Sequence, residues 1–269
     1  MSKLRRKYVI LAILILTAIL ISIILTATLL QLSRKSLVEE LYSVELTKGK
    51  IAFIYLGYSG VILRTGNFTI GIDIANLLSD KEIKNIREMD LLIYTHVHSD
   101  HFNAAIAQEI HEKTGCFIAA EQAVYEALSG TVSAEKLIMI QGGESRELHL
   151  RNGKIILSSI YGIHPVQIVL IMLEVDGLRI FHGGDSGYFP SIRNLGHVDI
   201  AFLPTGDPSP SASPGDAVKM ALDLSPNVIV LFHGSSIQHN SFTNEIKSKL
   251  ASKTIPAETR KVYLEELYP

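Results

Sequence analysis

Four times along this chain a short apolar run ends on, or just before, a histidine or an aspartate. Leu91-Leu92-Ile93-Tyr94 leads into Thr95-His96-Val97-His98-Ser99-Asp100-His101. Ile155 to Ile160 leads to His164, Leu178 to Phe181 to Gly183-Gly184-Asp185-Ser186, and Val228 to Phe232 to His233-Gly234. Apolar runs this short read as buried strands. Strands that end on one edge of a layered fold gather their terminal polar residues there, however far apart these lie in sequence. The first run is the densest. In an extended segment His96 and His98 point to the same side, and a turn after Ser99 swings Asp100 and His101 towards the same point. Imidazole nitrogens and carboxylate oxygens are ligands that zinc and similar divalent ions accept.

The rest of the chain supplies the layers. Strands are expected at Ile51–Tyr55 and Val61–Arg64 around the turn Gly57-Tyr58-Ser59-Gly60, at Phe68–Ile74, and at Cys116–Ala119. Helices are expected at Asp80–Arg87, Asn103–Lys113 and Glu121–Leu128. The second half is richer in strands: Leu137–Ile140, Ser145–Leu150, Lys154–Ile160, Ile168–Val175, Leu178–Phe181, Asp199–Leu203 and Val228–Phe232. Asp176-Gly177 marks a hairpin. A helix over Asp216–Leu222, a second over Asn244–Lys253 and a strand over Lys261–Glu265 close the chain. Strands with helices inserted in both halves imply an α/β protein, two packed sheets with helices outside, an αββα sandwich. Thr205 to Pro214, rich in Pro and Ser, is a loop.

Composition narrows the function classes. The chain has 269 residues and a formal net charge of −2, which gives no electrostatic case for nucleic acid. Cys116 is the only cysteine, so an internal disulfide and a thiolate metal cluster are excluded; it reads as a core thiol. Tyr8 to Leu30 holds no charged residue and as a helix measures ~35 Å, against ~30 Å of hydrocarbon. It is therefore expected to be an uncleaved membrane anchor. Residues 1–7 form a basic flank, 8–30 the anchor, 31–49 a connector and 50–269 the globular domain. Lys3, Arg5, Arg6 and Lys7 precede the span, which places the N-terminus in the cytoplasm and the domain outside.

With its ligand pattern complete, the chain resembles the metallo-β-lactamase superfamily of metallohydrolases, which has an HxHxDH motif followed by a distant His, an Asp and a final His. His96, His98, Asp100, His101, His164, Asp185 and His233 match in kind and order, and the resemblance runs from about Lys50 to the end. Tyr55 to Leu63, Phe181 to Ser186 and Val198 to Gly206 are similar to the ascorbate-6-phosphate lactonase-like branch. The resemblance implies that His96, His98 and His164 hold one metal, that Asp100, His101 and His233 hold a second, and that Asp185 bridges them. It implies two divalent ions, Zn or else Mn or Fe, which lower the pKa of a shared water, with Asp100 as the catalytic proton acceptor.

Two departures from the branch stand out. Tyr58 replaces a usual His, and is either a substrate contact or a packed turn residue. The segment after His164 is short, which predicts a more open site, or one partly covered by something else such as the membrane surface. Among other polar residues, Asp73 is placed to hydrogen-bond a ligand His. His182 either orients a ligand or packs in the core. His239 contacts substrate or is a solvated loop residue. Asp207 flanks the Pro/Ser loop, and Asp216 reads as a helix cap. His111, His149 and His197 read as surface residues. The expected function is a membrane-anchored dinuclear hydrolase of an ester, lactone or phosphodiester, with a small molecule or a lipid as substrate. The other readings are a metal-binding sensor without turnover, a nuclease, and a diiron redox protein of the same superfamily.

Overall fold

The computed structural model describes residues 7, 13, 15–26 and 35–268. Residues 13 and 15–26 are helical. Among the described residues no helix is long and apolar enough to cross a membrane. This overturns the expected single-pass membrane location with an external domain; the other residues of the Tyr8–Leu30 span lie outside the described residues. Met1–Ser36 and Leu37–Pro269 are separate compact units, and the second carries every ligand position.

In the second unit, the helix α1 (Leu37–Ser43) precedes β1 (Lys50–Gly57), β2 (Gly60–Arg64) and β3 (Thr69–Ile72). Then come α2 (Asp80–Asn85), β4 (Leu91–Tyr94), α3 (Ala104–Thr114), β5 (Phe117–Ala120), α4 (Gln122–Leu128) and β6 (Leu137–Met139). The second half runs β7 (Ser145–Leu150), β8 (Gly153–Tyr161), β9 (Val169–Val175), β10 (Leu178–His182), β11 (Ile200–Pro204), α5 (Pro214–Leu224), β12 (Val228–Phe232), α6 (Ser236–Ile246), β13 (Lys253–Pro256) and β14 (Lys261–Glu266). Two seven-stranded sheets form, ordered β14-β1-β2-β3-β4-β5-β6 and β13-β12-β11-β10-β9-β8-β7.

Alternation along the strands builds the layers. Ile51, Phe53 and Tyr55 of β1 enter the core between the sheets, whereas Ala52, Ile54 and Leu56 face α1 to α4. On β11, Ile200 and Phe202 point inward and Ala201 and Leu203 outward, towards α5 and α6. Both faces are buried, so these strands show as continuous apolar runs. The Phe53 and Phe202 rings meet edge to face at 5.2 Å and join the two sheets.

Pairing directions bring the functional strand ends together. β3 and β4 are parallel, and β1 reaches the same direction through two antiparallel pairings. In the other sheet β10, β11 and β12 are parallel, and β8 is turned into line with β10 by the two antiparallel pairings around β9. The carboxyl ends of β1, β3 and β4 lie at one end of their sheet, and those of β8, β10 and β12 at one end of theirs. The backbone N–H of Val169 donates to Thr95 O at 3.1 Å, tying these ends across the sandwich.

One sequence expectation moves. The last helix is α6, Ser236–Ile246, and a strand, β13, occupies Lys253–Pro256. Ser235 and Gln238 form a capping box that starts the helix earlier. Only Phe242 and Ile246 of α6 are buried, so it has little apolar periodicity to read.

Candidate metal centre

The β4 end turns as its sequence requires. His98 O accepts from the backbone N–H groups of His101 and Phe102 at 3.0 and 2.8 Å, a tight turn that brings His101 back beside His96. Their ring centroids lie 4.0 Å apart. Asn103 caps α3 through the N–H of Ile106 and fixes where the turn ends. On the other sheet, Gly184 takes φ +54°, a backbone setting that favours glycine, and so delivers Asp185 inward.

The seven matched residues form two adjoining groups. His96, His98, His164 and Asp185 each offer one ligand atom, as do Asp100, His101 and His233, with the atoms of each group all within 4.8 Å of one another. Asp185 stands between them. Its Oδ1 lies 3.7 Å from His96 Nε2 and 3.3 Å from His164 Nδ1, and its Oδ2 lies 3.7 Å from His101 Nε2. His164 Nε2 approaches His98 Nδ1 at 3.1 Å and His233 Nε2 approaches His101 Nε2 at 3.3 Å.

The donor set suits metal. His96 Nε2, His164 Nδ1, Asp185 Oδ1 and His233 Nδ1 are buried without a hydrogen-bond partner. Buried polar atoms are rarely left so, and the first three meet at one place, Asp185 Oδ1 lying 3.7 Å from His96 Nε2 and 3.3 Å from His164 Nδ1, which fits a cation as the missing partner. Protonation agrees. Burial, then the neighbouring His101, pushes His96 down to about 2 and His233 down to about 3; burial and His98 take His164 to about 4. These imidazoles are neutral near pH 7 and have lone pairs to donate. Burial raises Asp185 to about 6 in spite of the lowering pull of His101, the response of a carboxylate that has lost water and has one oxygen without a donor.

Behind the ligands lies a hydrogen-bonded support. Asp73, fully buried at the end of β3, accepts from Thr95 N at 2.8 Å, Thr95 Oγ1 at 2.7 Å, Ser59 Oγ at 2.9 Å and His101 Nδ1 at 2.9 Å. Thr95 Oγ1 in turn lies 3.1 Å from His96 Nδ1. Burial alone would raise Asp73, but His101, by charge and hydrogen bond, with His182 and His96, holds it well below the usual carboxylate range. Asp73 thus orients one imidazole from each group and leaves each Nε2 free to ligate. Ser59 and Thr95 have no role in the sequence reading. Both lie inside quoted runs, but a hydroxyl carries no spacing signal that would single it out.

The remaining polar residues sort by their contacts. His182 is buried, donates Nε2–H to Ser59 O at 2.9 Å and accepts from Gly184 N at 3.2 Å; it braces the Ser59 turn and touches no ligand side chain. Tyr58 is 43% exposed at φ +51°, its ring 5.8 Å from that of His233. His239 packs against Gly234, where a Cβ would meet its ring at 3.0 Å. Asp207 is exposed. Ser213 caps α5, and Asp216 accepts its hydroxyl at 2.6 Å. His111, His149 and His197 bond to Cys116 O, Glu147 and Ser225 O, away from the ligands. Cys116 is a buried thiol pushed up to about 11 by burial.

Comparison with known proteins agrees with this geometry. Residues 52–233 match the family model described as the β-lactamase superfamily domain. A UPF0173 metal-dependent hydrolase of Thermus thermophilus is 30% identical over 189 residues, covering 66% of this chain and 81% of the relative. A second, from Bacillus licheniformis, is 30% identical over 202 residues, 68% of this chain and 84% of its own. Among solved structures, Igni18, a metallo hydrolase from Ignicoccus hospitalis, superposes with a TM-score of 0.68 at 22% identity over 81% of this chain and 99% of its own; at that identity the likeness speaks for the fold. The αββα sandwich, its converging strand ends and these relatives together make the chain a metal-dependent hydrolase belonging to the β-lactamase superfamily.

Proposed function

We propose that the protein is a dinuclear hydrolase of an ester, lactone or phosphodiester, with zinc as the resident metal. The observation that carries this is Asp185: its two oxygens face two different histidine groups, and Oδ1 is buried without a hydrogen bond. His96, His98 and His164 would hold one ion and Asp100, His101 and His233 the other, with Asp185 shared. Such ions polarise a substrate oxygen and bring water's pKa towards neutrality.

The chain's own groups supply the rest. Asp73 and Thr95 fix His101 and His96, so little reorganisation is needed on binding. The Asp100 side chain is 30% exposed, against 3% for Asp185. Asp100 is therefore the carboxylate that reaches incoming water and can take its proton. Water adds to the carbonyl carbon or phosphorus, the bond to the leaving oxygen breaks, and the proton ends on the alcohol. The sequence likeness to the ascorbate-6-phosphate lactonase branch is the reason a lactone stands among the three bonds.

Metal analysis of the purified full chain tests the reading, in parallel with turnover of nitrophenyl esters, lactones and bis(nitrophenyl) phosphate. Two ions per chain are expected, with loss of at least one in Asp185→Ala and loss of turnover in Asp100→Ala. A single ion per chain, or full activity in Asp100→Ala, would overturn it.

A further inference from the structure

Among residues 35–268 seven large apolar side chains are exposed: Tyr58, Val97, Tyr161, Ile163, Leu222, Ile237 and Leu264. Five of them adjoin the metal centre. Val97 lies between two ligands, Ile163 precedes His164, and Tyr161 ends β8 just before it. Tyr58 stands against the His233 ring, and Ile237, 79% exposed, lies in the first turn of the helix that follows His233. Scattered exposed apolar groups are ordinary, whereas a cluster around a site marks a binding surface.

Charge at the same edge is one-sided. The segments that carry the candidate ligands and these apolar residues are 57–60, 95–103, 140–144, 161–168, 183–189, 205–213 and 233–240. They contain no Lys or Arg, and their charged residues are Asp100, Glu144, Asp185 and Asp207. Arg260, through its backbone N–H to Tyr55 O, and Lys261, in register with Tyr55, also reach this end, but their side chains are paired with Glu82 and Glu258. Cations gather instead at the opposite edge, where Arg87, Lys136 and Arg151 line a cavity of about 410 Å³. Polyanion sites use Arg and Lys for recognition, and the two cations at the metal edge are both already paired with glutamates.

We propose that the substrate carries an apolar acyl or aryl group beside the scissile bond and no second anionic group. This rests on the hydrolase reading above, because it takes the metal centre as the reacting point. For an ester the balance is ester plus water to carboxylic acid plus alcohol, with the apolar group of either product against Tyr161, Ile163 or Ile237.

Calorimetry on the metal-loaded full chain with acetate, hexanoate and adipate tests it without turnover. Hexanoate is expected to bind at least about tenfold tighter than acetate, since each buried methylene favours it. Adipate, the same chain with a second carboxylate, is expected to bind about tenfold more weakly than hexanoate. Tyr161→Ser and Ile237→Gln should each shrink the hexanoate preference, and Leu264→Gln, away from the edge, should not. Acetate and hexanoate within twofold, or adipate binding tightest, would overturn the proposal. So would a dimer that dissociates in Ile237→Gln with no hexanoate preference, which assigns the patch to a second copy. The two readings separate cleanly. A hexanoate preference without hydrolysis of nitrophenyl hexanoate supports the apolar rim and overturns the bond assignment. Equal turnover of nitrophenyl acetate and hexanoate without the preference does the reverse.

Discussion

Asp73 and Asp185 are both buried carboxylates at the strand-end edge, one from each sheet, and their surroundings treat them in opposite ways. Asp73 receives four hydrogen bonds and is held ionised well below the usual range. Asp185 has an oxygen without a partner and is raised to about 6. The His101 imidazole stands between them, Nδ1 at 2.9 Å from Asp73 Oδ2 and Nε2 at 3.7 Å from Asp185 Oδ2. Asp73 is at least as deeply buried as Asp185, so burial does not make the difference; the donors do. A carboxylate supplied with protein donors belongs to the support. One left without them is poised for a cation.

Four outcomes would break or sharpen that contrast. The largest is expected for Asp185→Asn: activity falls by more than about 100-fold with loss of bound metal, a larger loss than support residues give. Chemical unfolding of the metal-free variant should nevertheless show stability equal to or up to ~1 kcal/mol above the parent, because a buried charge short of donors is removed. A clear loss of metal-free stability would place Asp185 with the support. Asp73→Asn should do the opposite in the metal-free state, costing about 3 kcal/mol as several buried donors lose their acceptor. Metal affinity, by competition with a chelator, should weaken about 10- to 100-fold.

The third outcome concerns pH. A carboxyl raised in the folded state contributes stability that is present below its unfolded value near 4 and lost as pH rises through about 6. The stability difference between metal-free Asp185→Asn and the parent should thus be near zero at pH 4 and complete above pH 6. Unfolding curves at the two pH values decide it, and a difference that shrinks with rising pH would reverse the assignment. The smallest effect is expected for Ser59→Ala. It removes one donor to Asp73 and should cost about 1 kcal/mol by denaturant midpoint, leaving the number of bound ions unchanged.

The sequence made the ligands readable and the support much less so. His96, His98, Asp100, His101, His164, Asp185 and His233 are unusual residue types at the ends of apolar runs, and the structure brings all seven into the two groups. Asp73 was legible as a strand-end carboxylate placed to hydrogen-bond a ligand His, and it does so with His101. Ser59 and Thr95 act through hydroxyls at distances that only the folded chain defines. The strands were legible because burial on both faces leaves them as unbroken apolar runs. Helix α6 was misplaced because a cap, and not periodicity, sets its start. The apolar stretch at Tyr8 to Leu30 misled in a different way. Hydrophobicity and length, taken alone, gave a membrane span, whereas among the described residues no helix is long and apolar enough to cross a membrane.

The pairing of β14 with β1, Lys50 against Glu266 through Tyr55 against Lys261, has a consequence for synthesis. The first sheet, begun at residue 50, is missing an outer strand until residues 261–266 have left the ribosome. Until then the nascent chain presents the β1 backbone as an open edge, a template for pairing with other chains. Emergence of residues 261–266 is therefore the event that covers the β1 edge.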